Sequence, residues 1–306
     1  MKEKINVDFL IKEFNLKPLN ECKESFIERP SINRAGLLLA GAYVDETLTK
    51  NIVGWGTNES KFLLSLSQKD RKEALHRVIG ANPPLLMLSV GFEKELFNEI
   101  LEISNFYMVP TVSSEEHLST LIANIGGYLS EYFAKKTAIH GSAIIVNGVG
   151  VLITGASGVG KSEAVLELIQ DGHTFVSDDT VIISRLGNRF IGKPSPITQD
   201  LLEVRGIGII DIRHTYGSSM IRTKLDIDLV LELIPFENNN NFDRIGNNEL
   251  YYHILDGKIK KIQIPVKQGR TISSLVVAAV NSYLVKQDGL DPIEKIQERI
   301  KNKNGK

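Results

Sequence analysis

The chain has one cysteine, one tryptophan and ten prolines in 306 residues. A lone thiol, Cys22, cannot close an intrachain disulfide or build a thiolate zinc cage, which fits a reducing compartment. Cys22 as a catalytic nucleophile is the sharper reading; a plain structural or surface cysteine is the simpler one and is preferred. Charge of one sign is also missing. Lys plus Arg number 36 and Asp plus Glu 37, so no overall field draws in nucleic acid or an anionic membrane. Any phosphate chemistry must therefore use a local site. Long hydrophobic runs are absent too: stretches such as LVVAAV (Leu275 to Val280) fall far short of a membrane span. The N-terminal MKEKINVDFLIKEFNLKPL is broken by charges and has no signal-peptide core. The expectation is a soluble, cytoplasmic protein that engages neither nucleic acid nor membrane.

What is present is a globular composition, 42% apolar and 24% charged, long enough for one large or two ordinary domains. Strand and helix patterns alternate, which implies an α/β fold. Val7 to Phe14 reads as a short amphipathic helix. The turn RPSINRAG (Arg29 to Gly36) precedes the apolar run LLLAGAYV. Lys69 to Val78 reads as helix, Leu85 to Phe92 as a buried strand and Glu93 to Asn105 as helix. Ser113 and Glu116 form a capping-box pattern ahead of a long connecting helix whose apolar residues run from Leu118 to Phe133. A domain boundary near residue 134 follows, with an N-terminal α/β domain over 1–133 that carries no reaction motif and a catalytic domain over 134–306. The run Asn238 to Asn241 reads as a surface loop. The last segment is a charged helix with apolar Ile293, Ile296 and Ile300; its basic tail reads as solvated, or less favourably as a docking element.

The second half opens with Ala143 to Asn147 as a strand, Gly148 to Gly150 as a tight turn and Val151 to Thr154 as a second strand. These run straight into Gly155, Ala156, Ser157, Gly158, Val159, Gly160, Lys161 and Ser162. That octet matches G-x-x-x-x-G-K-[ST] without mismatch and precedes a predicted helix at Glu163 to Gln170. Glycines let the main chain wrap phosphate oxygens and present N–H donors at a helix N-terminus. Lys161 adds a cation for the β- and γ-phosphates, and the Ser162 hydroxyl can ligate Mg²⁺. A hairpin directly before the loop is unlike the βαβ start of small GTPases.

A phosphate loop establishes nucleotide binding, not a reaction. Asp178 and Asp179, in FVSDDTVII, lie between two apolar runs. They read as a solvated turn, or as a pair in which one carboxylate helps hold a metal and the other takes a proton from an attacking hydroxyl. His140, in IHG, precedes the hairpin; a lone histidine is usually structural. Glu203, Arg205, Gly206 and Gly208, in LLEVRGIGIIDI, suggest a loop built around a ligand. Arg244 in FDRIG and Arg270 in VKQGRT are candidate clamps on a phosphoryl group, though each alone reads as a surface arginine.

Taken together, IHG, GVGVLITGASGVGKSEAVLELI, DGH, SDD, LLEVRGIGII, FDRIG and IPVKQGRT, in this order across residues 138–290, resemble the HPr kinase/phosphorylase family. The N-terminal half is similar mainly through RPSINRAGLLLAG. The resemblance implies two α/β domains, the C-terminal one a P-loop kinase domain like that of phosphoenolpyruvate carboxykinases, and a homohexamer. It implies ATP- or pyrophosphate-dependent phosphorylation of a regulatory serine on the phosphocarrier HPr, with Mg²⁺. It also implies phosphorolysis by inorganic phosphate giving pyrophosphate, in the control of carbon catabolite repression and sugar uptake. By the same resemblance His140, Lys161, Asp179 and Arg244 are catalytic, with Asp178 beside them and the division of labour between the aspartates open. Ser162 and Glu203 are the Mg²⁺ ligands. Val266, Lys267, Gln268, Gly269, Arg270 and Thr271 form the dephosphorylation loop. Two departures stand out: Ala164 where the family commonly has Thr, and Lys267-Gln268 where it commonly has Arg-Pro. Lysine keeps the charge but loses the planar fork, which bears on the phosphorylase direction more than the kinase direction. The rival readings are a small-molecule kinase on the same scaffold and a nucleotide-sensing protein that has lost transfer.

Overall fold

The structure is a computed structural model that describes residues 3–21, 24–42, 50–236, 249–267, 271–290 and 292–304. Cys22, the asparagine run at 238–241, Arg244, Gln268, Gly269 and Arg270 lie outside the described residues. The chain divides into two units, Met1–Ala134 and Lys135–Lys306. Among the described residues, no helix is long and apolar enough to cross a membrane.

The first unit runs β1 (Ile5–Asn6), α1 (Val7–Glu13), β2 (Lys17–Pro18), β3 (Phe26–Ile27), β4 (Ile32–Asn33), α2 (Gly36–Leu39), β5 (Ile52–Trp55), α3 (Thr57–Ser65), α4 (Gln68–Ile79), β6 (Leu86–Leu88), α5 (Phe97–Tyr107), β7 (Thr111–Ser113) and α6 (Leu118–Tyr132). Strands β4, β5, β6 and β7 are parallel, and β2 adds antiparallel to β7. Both faces are covered, so the strands read as continuous apolar runs. Val53, Trp55, Leu86 and Leu88 pack on one side with α4 and α5. Ile52, Met87 and Val112 pack on the other with α1 and α6.

Three local expectations are corrected here. Residues 85–92 form a strand only over Leu86–Leu88, because the chain turns at Val90 and Gly91. Residues 93–105 start as a 3₁₀ turn, Lys94–Leu96, and become α-helical from Phe97. Ser113 does not cap α6: its backbone is in the β7 ladder opposite Leu88, and the helix begins at Leu118 after His117. Strand pairing outcompetes the local capping pattern.

The second unit runs β8 (Lys136–His140), β9 (Ser142–Val146), β10 (Val149–Gly155), α7 (Lys161–Gln170), β11 (Thr174–Ser177), β12 (Thr180–Leu186), β13 (Arg189–Pro194), β14 (Leu201–Val204), β15 (Gly208–Asp211), α8 (Ile212–Tyr216), β16 (Leu225–Asp226), β17 (Leu229–Pro235), β18 (Leu250–Ile254), β19 (Gly257–Val266), α9 (Ile272–Gln287) and α10 (Pro292–Asn304). A six-stranded sheet has the order β11-β9-β10-β17-β19-β18, with β10, β17 and β19 parallel. A four-stranded antiparallel sheet has the order β16-β13-β12-β8. The β9–β10 turn is Asn147-Gly148 rather than Gly148–Gly150. Both residues have positive φ, +49° and +82°, as a two-residue I′ hairpin turn requires, which frees Gly150 for the strand.

Alternation along β10 sets the layers. Val149, Val151 and Ile153 pack with Val165 and Leu168 of α7 and Val276 and Val280 of α9. Leu152, with Ala143 and Val230, faces Val181 and Ile183 of the second sheet. The strand that ends in the glycine loop is thus fixed on both faces. Ile153 is fully buried, so Ile153→Ala should cost about 2–5 kcal/mol, read as a lower urea midpoint.

Candidate active site

Strand β10 ends at Gly155 and α7 starts at Lys161, so the glycine octet spans a strand-to-helix turn. Gly155 has φ +146°, and a Cβ there would come 2.6 Å from the Leu233 carbonyl oxygen. Gly160 has φ +100°, and a Cβ there would come 2.7 Å from Ile272 Cδ1. The backbone and the packing both demand glycine at these two positions. Lys161 is only 7% exposed. Its ammonium donates to the carbonyl oxygens of Gly155 and Ala156, each at 3.1 Å. The first amides of α7 have no carbonyl partner within the helix and form an anion-favouring end.

The two adjacent aspartates face different surroundings. Asp178 is 3% exposed. Its Oδ2 accepts from Ser162 Oγ at 2.8 Å and its Oδ1 from Ser142 Oγ at 2.6 Å. Among the described residues no cation pairs with this buried carboxylate. Asp179 has φ +62°, a left-handed conformation that aspartate tolerates better than most residues. The twist turns its side chain outward, where it is 57% exposed.

His140 reaches the same residue from β8, where it pairs with Thr180 of β12. Its Nδ1 lies 2.9 Å from the Asp179 carbonyl oxygen and 3.2 Å from Asp179 Oδ1. Both atoms are acceptors, so Nδ1 carries the hydrogen and Nε2 is left without a partner among the described residues. The Gly141 amide donates to the same carbonyl at 3.0 Å.

Glu203 lies in β14, and Arg205 follows it in the turn to β15. Leu202 and Val204 of β14 point into the core against α7, so Glu203 faces solvent and makes no hydrogen bond or ion pair with the described residues. Past the strand end, the Arg205 guanidinium lies 3.8 Å from where a Cβ on Gly158 would sit, beside the glycine loop. The structure therefore brings Lys161, Ser162 and Asp178 together, couples His140 to Asp179 and sets Arg205 over Gly158. Of the 266–271 loop, Val266 ends β19, Lys267 lies with its ammonium 5.7 Å from the centre of the Phe236 ring, and Thr271 stands just before α9 with no side-chain capping bond.

Sequence reasoning passed over two polar residues. Ser142 has no motif of its own; only its place on β9 reveals it. Glu232 of β17 accepts from Lys261 Nζ and Gln263 Nε2, each at 2.9 Å. Burial pushes its carboxyl up, but the bonds from Gln263 and Lys261 outweigh that and hold it below its ordinary value.

Residues 5–129 match the family described as HPr Serine kinase N terminus, and residues 131–300 match HPr Serine kinase C-terminal domain. The chain belongs to the HPr serine kinase family. It is 44% identical to the HPr kinase/phosphorylase of Mycoplasmopsis pulmonis over 307 residues, covering 99% of each chain. It is 35% identical to the HPr kinase/phosphorylase of Alkaliphilus metalliredigens, covering 97% of this chain and 96% of that one. A solved structure, the Hpr(Ser) kinase/phosphatase of Coxiella burnetii, is 30% identical with a TM-score of 0.47, over 53% of this chain and 99% of that one. For this HPr serine kinase family member, the two-domain α/β architecture is therefore the family's own.

Two outcomes follow from the geometry. Gly160→Ala should destabilise by at least about 1–2 kcal/mol from its left-handed backbone alone, seen in urea titration. The Glu232 bonds should stabilise the protein above the ordinary carboxylate value of 4.5 and stop doing so as pH falls through the lower folded-state value. The stability gap between wild type and Glu232→Gln should therefore be present at pH 7 and close in acid. A gap that widened on acidification would contradict the assignment.

Proposed function

We propose that this HPr serine kinase family member transfers the γ-phosphoryl group of ATP, or of pyrophosphate, to a serine hydroxyl of HPr. In the reverse direction it returns that group to inorganic phosphate, releasing pyrophosphate. The observation that carries this reading is the split between the aspartates: a buried carboxylate bonded to the loop serine, and an exposed one bonded to a histidine, one residue apart. That is a binding end and a reacting end in one strand-to-strand crossing.

The roles follow from the contacts. Amides of residues 155–162 and the Lys161 ammonium hold the phosphates, the lysine exchanging two carbonyl partners for phosphate oxygens. Asp178 orients the Ser162 hydroxyl. Its buried carboxylate, with no cationic partner among the described residues, fits a hard divalent cation. Among the described residues no group of three or more His, Cys, Asp and Glu gathers into a metal cage. Mg²⁺ is such a hard cation, and substrate phosphates and water would complete its shell. Ser162, Asp178 and, on the family resemblance, Glu203 would hold it. Bound there, Mg²⁺ would supply charge neutralisation for the transferring group.

Asp179 is the general base. It accepts the proton of the serine Oγ–H as the Oγ–P bond forms and the bond from phosphorus to the leaving oxygen breaks. In reverse, a phosphate oxygen attacks the phosphoserine phosphorus. The P–Oγ bond breaks and the protonated Asp179 returns its proton to Oγ. His140 steers that carboxylate through Nδ1. Arg244 is assigned as a clamp on the transferring group, and residues 266–271 as the loop that serves the phosphorylase direction. A homohexamer in the cytoplasm completes this reading.

Asp179→Asn should lower both transfers by about 10²–10⁴-fold and leave ATP affinity within a few-fold. The measurements are transfer from radiolabelled ATP to HPr, phosphate-driven release from phosphorylated HPr, and nucleotide binding by calorimetry. Transfer at a normal rate by the Asn variant would remove Asp179 as the base. Label appearing on a small metabolite but not on HPr would overturn the substrate.

A further inference from the structure

We infer that Ser142 is a positioning residue that aims Asp178 at the phosphate loop and so sets the divalent-cation dependence of nucleotide binding from β9. This rests on the reading that Ser162 and Asp178 form the metal-binding end of the site.

The geometry starts from how two chain segments change sheets together. Residues 140–142 leave β8 of the four-stranded sheet and enter β9 of the six-stranded sheet. Residues 177–180 make the opposite crossing, from β11 to β12. Antiparallel pairing holds on both sides, β8 with β12 and β9 with β11. The crossings therefore run side by side and are joined rung by rung. His140 meets Asp179, the Gly141 amide donates to the Asp179 carbonyl, and Ser142 meets Asp178. A Cβ on Gly141 would come 2.6 Å from the Ile153 carbonyl oxygen, so this crossing lies directly on β10 just before the phosphate loop.

A register shift makes the last rung. In the β9–β11 ladder Phe175 is opposite Ile144, but Ser177 is opposite Ala143. One extra residue, Val176, is taken up as a bulge. Without it, Ser177 would fall opposite Ser142 and Asp178 opposite Gly141, which has no side chain to offer. With it, Asp178 falls opposite Ser142. Bulges re-aim side chains in this way beside functional sites.

Ser142 is fully buried and Asp178 nearly so, and the 2.6 Å bond has the length of a charge-assisted hydroxyl–carboxylate bond. A carboxylate pivots about its Cβ–Cγ bond. With Oδ1 held by Ser142, Oδ2 stays directed at Ser162. If Ser142 loses its hydroxyl, the carboxylate keeps its place in the chain and loses its aim. Such a loss weakens a cation held by a specific oxygen and leaves the main-chain phosphate contacts as they are. Ser142 is fully buried and its hydroxyl donates to Asp178, so it acts through that carboxylate.

The test is performed on the full-length protein with a non-hydrolysable ATP analogue. Mn²⁺ binding is followed by electron paramagnetic resonance, and analogue binding by calorimetry with and without Mg²⁺. Ser142→Ala should weaken Mn²⁺ in the ternary complex about tenfold, the equivalent of one charge-assisted hydrogen bond. Metal-free analogue affinity should stay within about twofold. Ser142→Thr, which retains a hydroxyl, should restore cation binding. If the Ala variant does not fold, the near-isosteric and weakly donating Ser142→Cys carries the comparison. Unchanged Mn²⁺ affinity in a folded Ala or Cys variant overturns the inference, as does a parallel loss of metal-free analogue binding, which would mark Ser142 as structural only. Wild-type protein that binds neither analogue nor Mn²⁺ would sink the phosphotransfer reading itself, and the inference with it.

Discussion

A carboxylate buried at 3% exposure and tied by both oxygens is the constraint around which the second unit is arranged. Removing such a group from water is costly unless it is hydrogen-bonded or paired with a cation. Asp178 meets that demand with two serine hydroxyls drawn from different elements, one at the start of β9 and one in the first turn of α7. Those bonds join the end of β11, the start of β9 and the first turn of α7 at one side chain. The apolar layers on either side of β10 supply the stability that makes a buried charge tolerable there.

The two aspartates illustrate how a single backbone choice separates surroundings. Both are acidic, adjacent and in the same crossing between sheets. The left-handed conformation at Asp179 costs about 1–3 kcal/mol in a non-glycine residue, and it turns one carboxylate to solvent while its neighbour stays inside. The strained carbonyl is then used by two donors, the Gly141 amide and His140 Nδ1. One local distortion therefore yields a sheltered acid and an accessible acid within one peptide unit of each other.

The glycine loop was legible in the sequence because its signal is local: a fixed spacing of Gly155, Gly160, Lys161 and Ser162 between a strand and a helix. The alternation of strands and helices was legible for the same reason, since periodicity is carried by near neighbours. What could not be read depends on partners far along the chain. Ser113 and Glu116 spell a cap, yet the ladder with Leu88 takes Ser113 into a strand. The role of Ser142 depends on a bulge at Val176, 34 residues away, which no pattern around Ser142 announces. The dipeptide does not reveal which of Asp178 and Asp179 is buried, because burial and backbone handedness are set by the sheets. Glu232 escaped notice in an otherwise apolar strand, its polarity explained only by Lys261 and Gln263 on the neighbouring one.

The Lys161 ammonium already has two carbonyl partners inside its own loop. Occupancy of the loop is therefore an exchange of ligands around one nitrogen, not the capture of a bare cation. A newcomer must offer that nitrogen more than two neutral dipoles do. Multiply charged oxygens succeed, while uncharged molecules and weak singly charged ones gain little by the trade. On the proposed reading, a polyphosphate enters the loop by replacing the Gly155 and Ala156 carbonyl oxygens at that nitrogen.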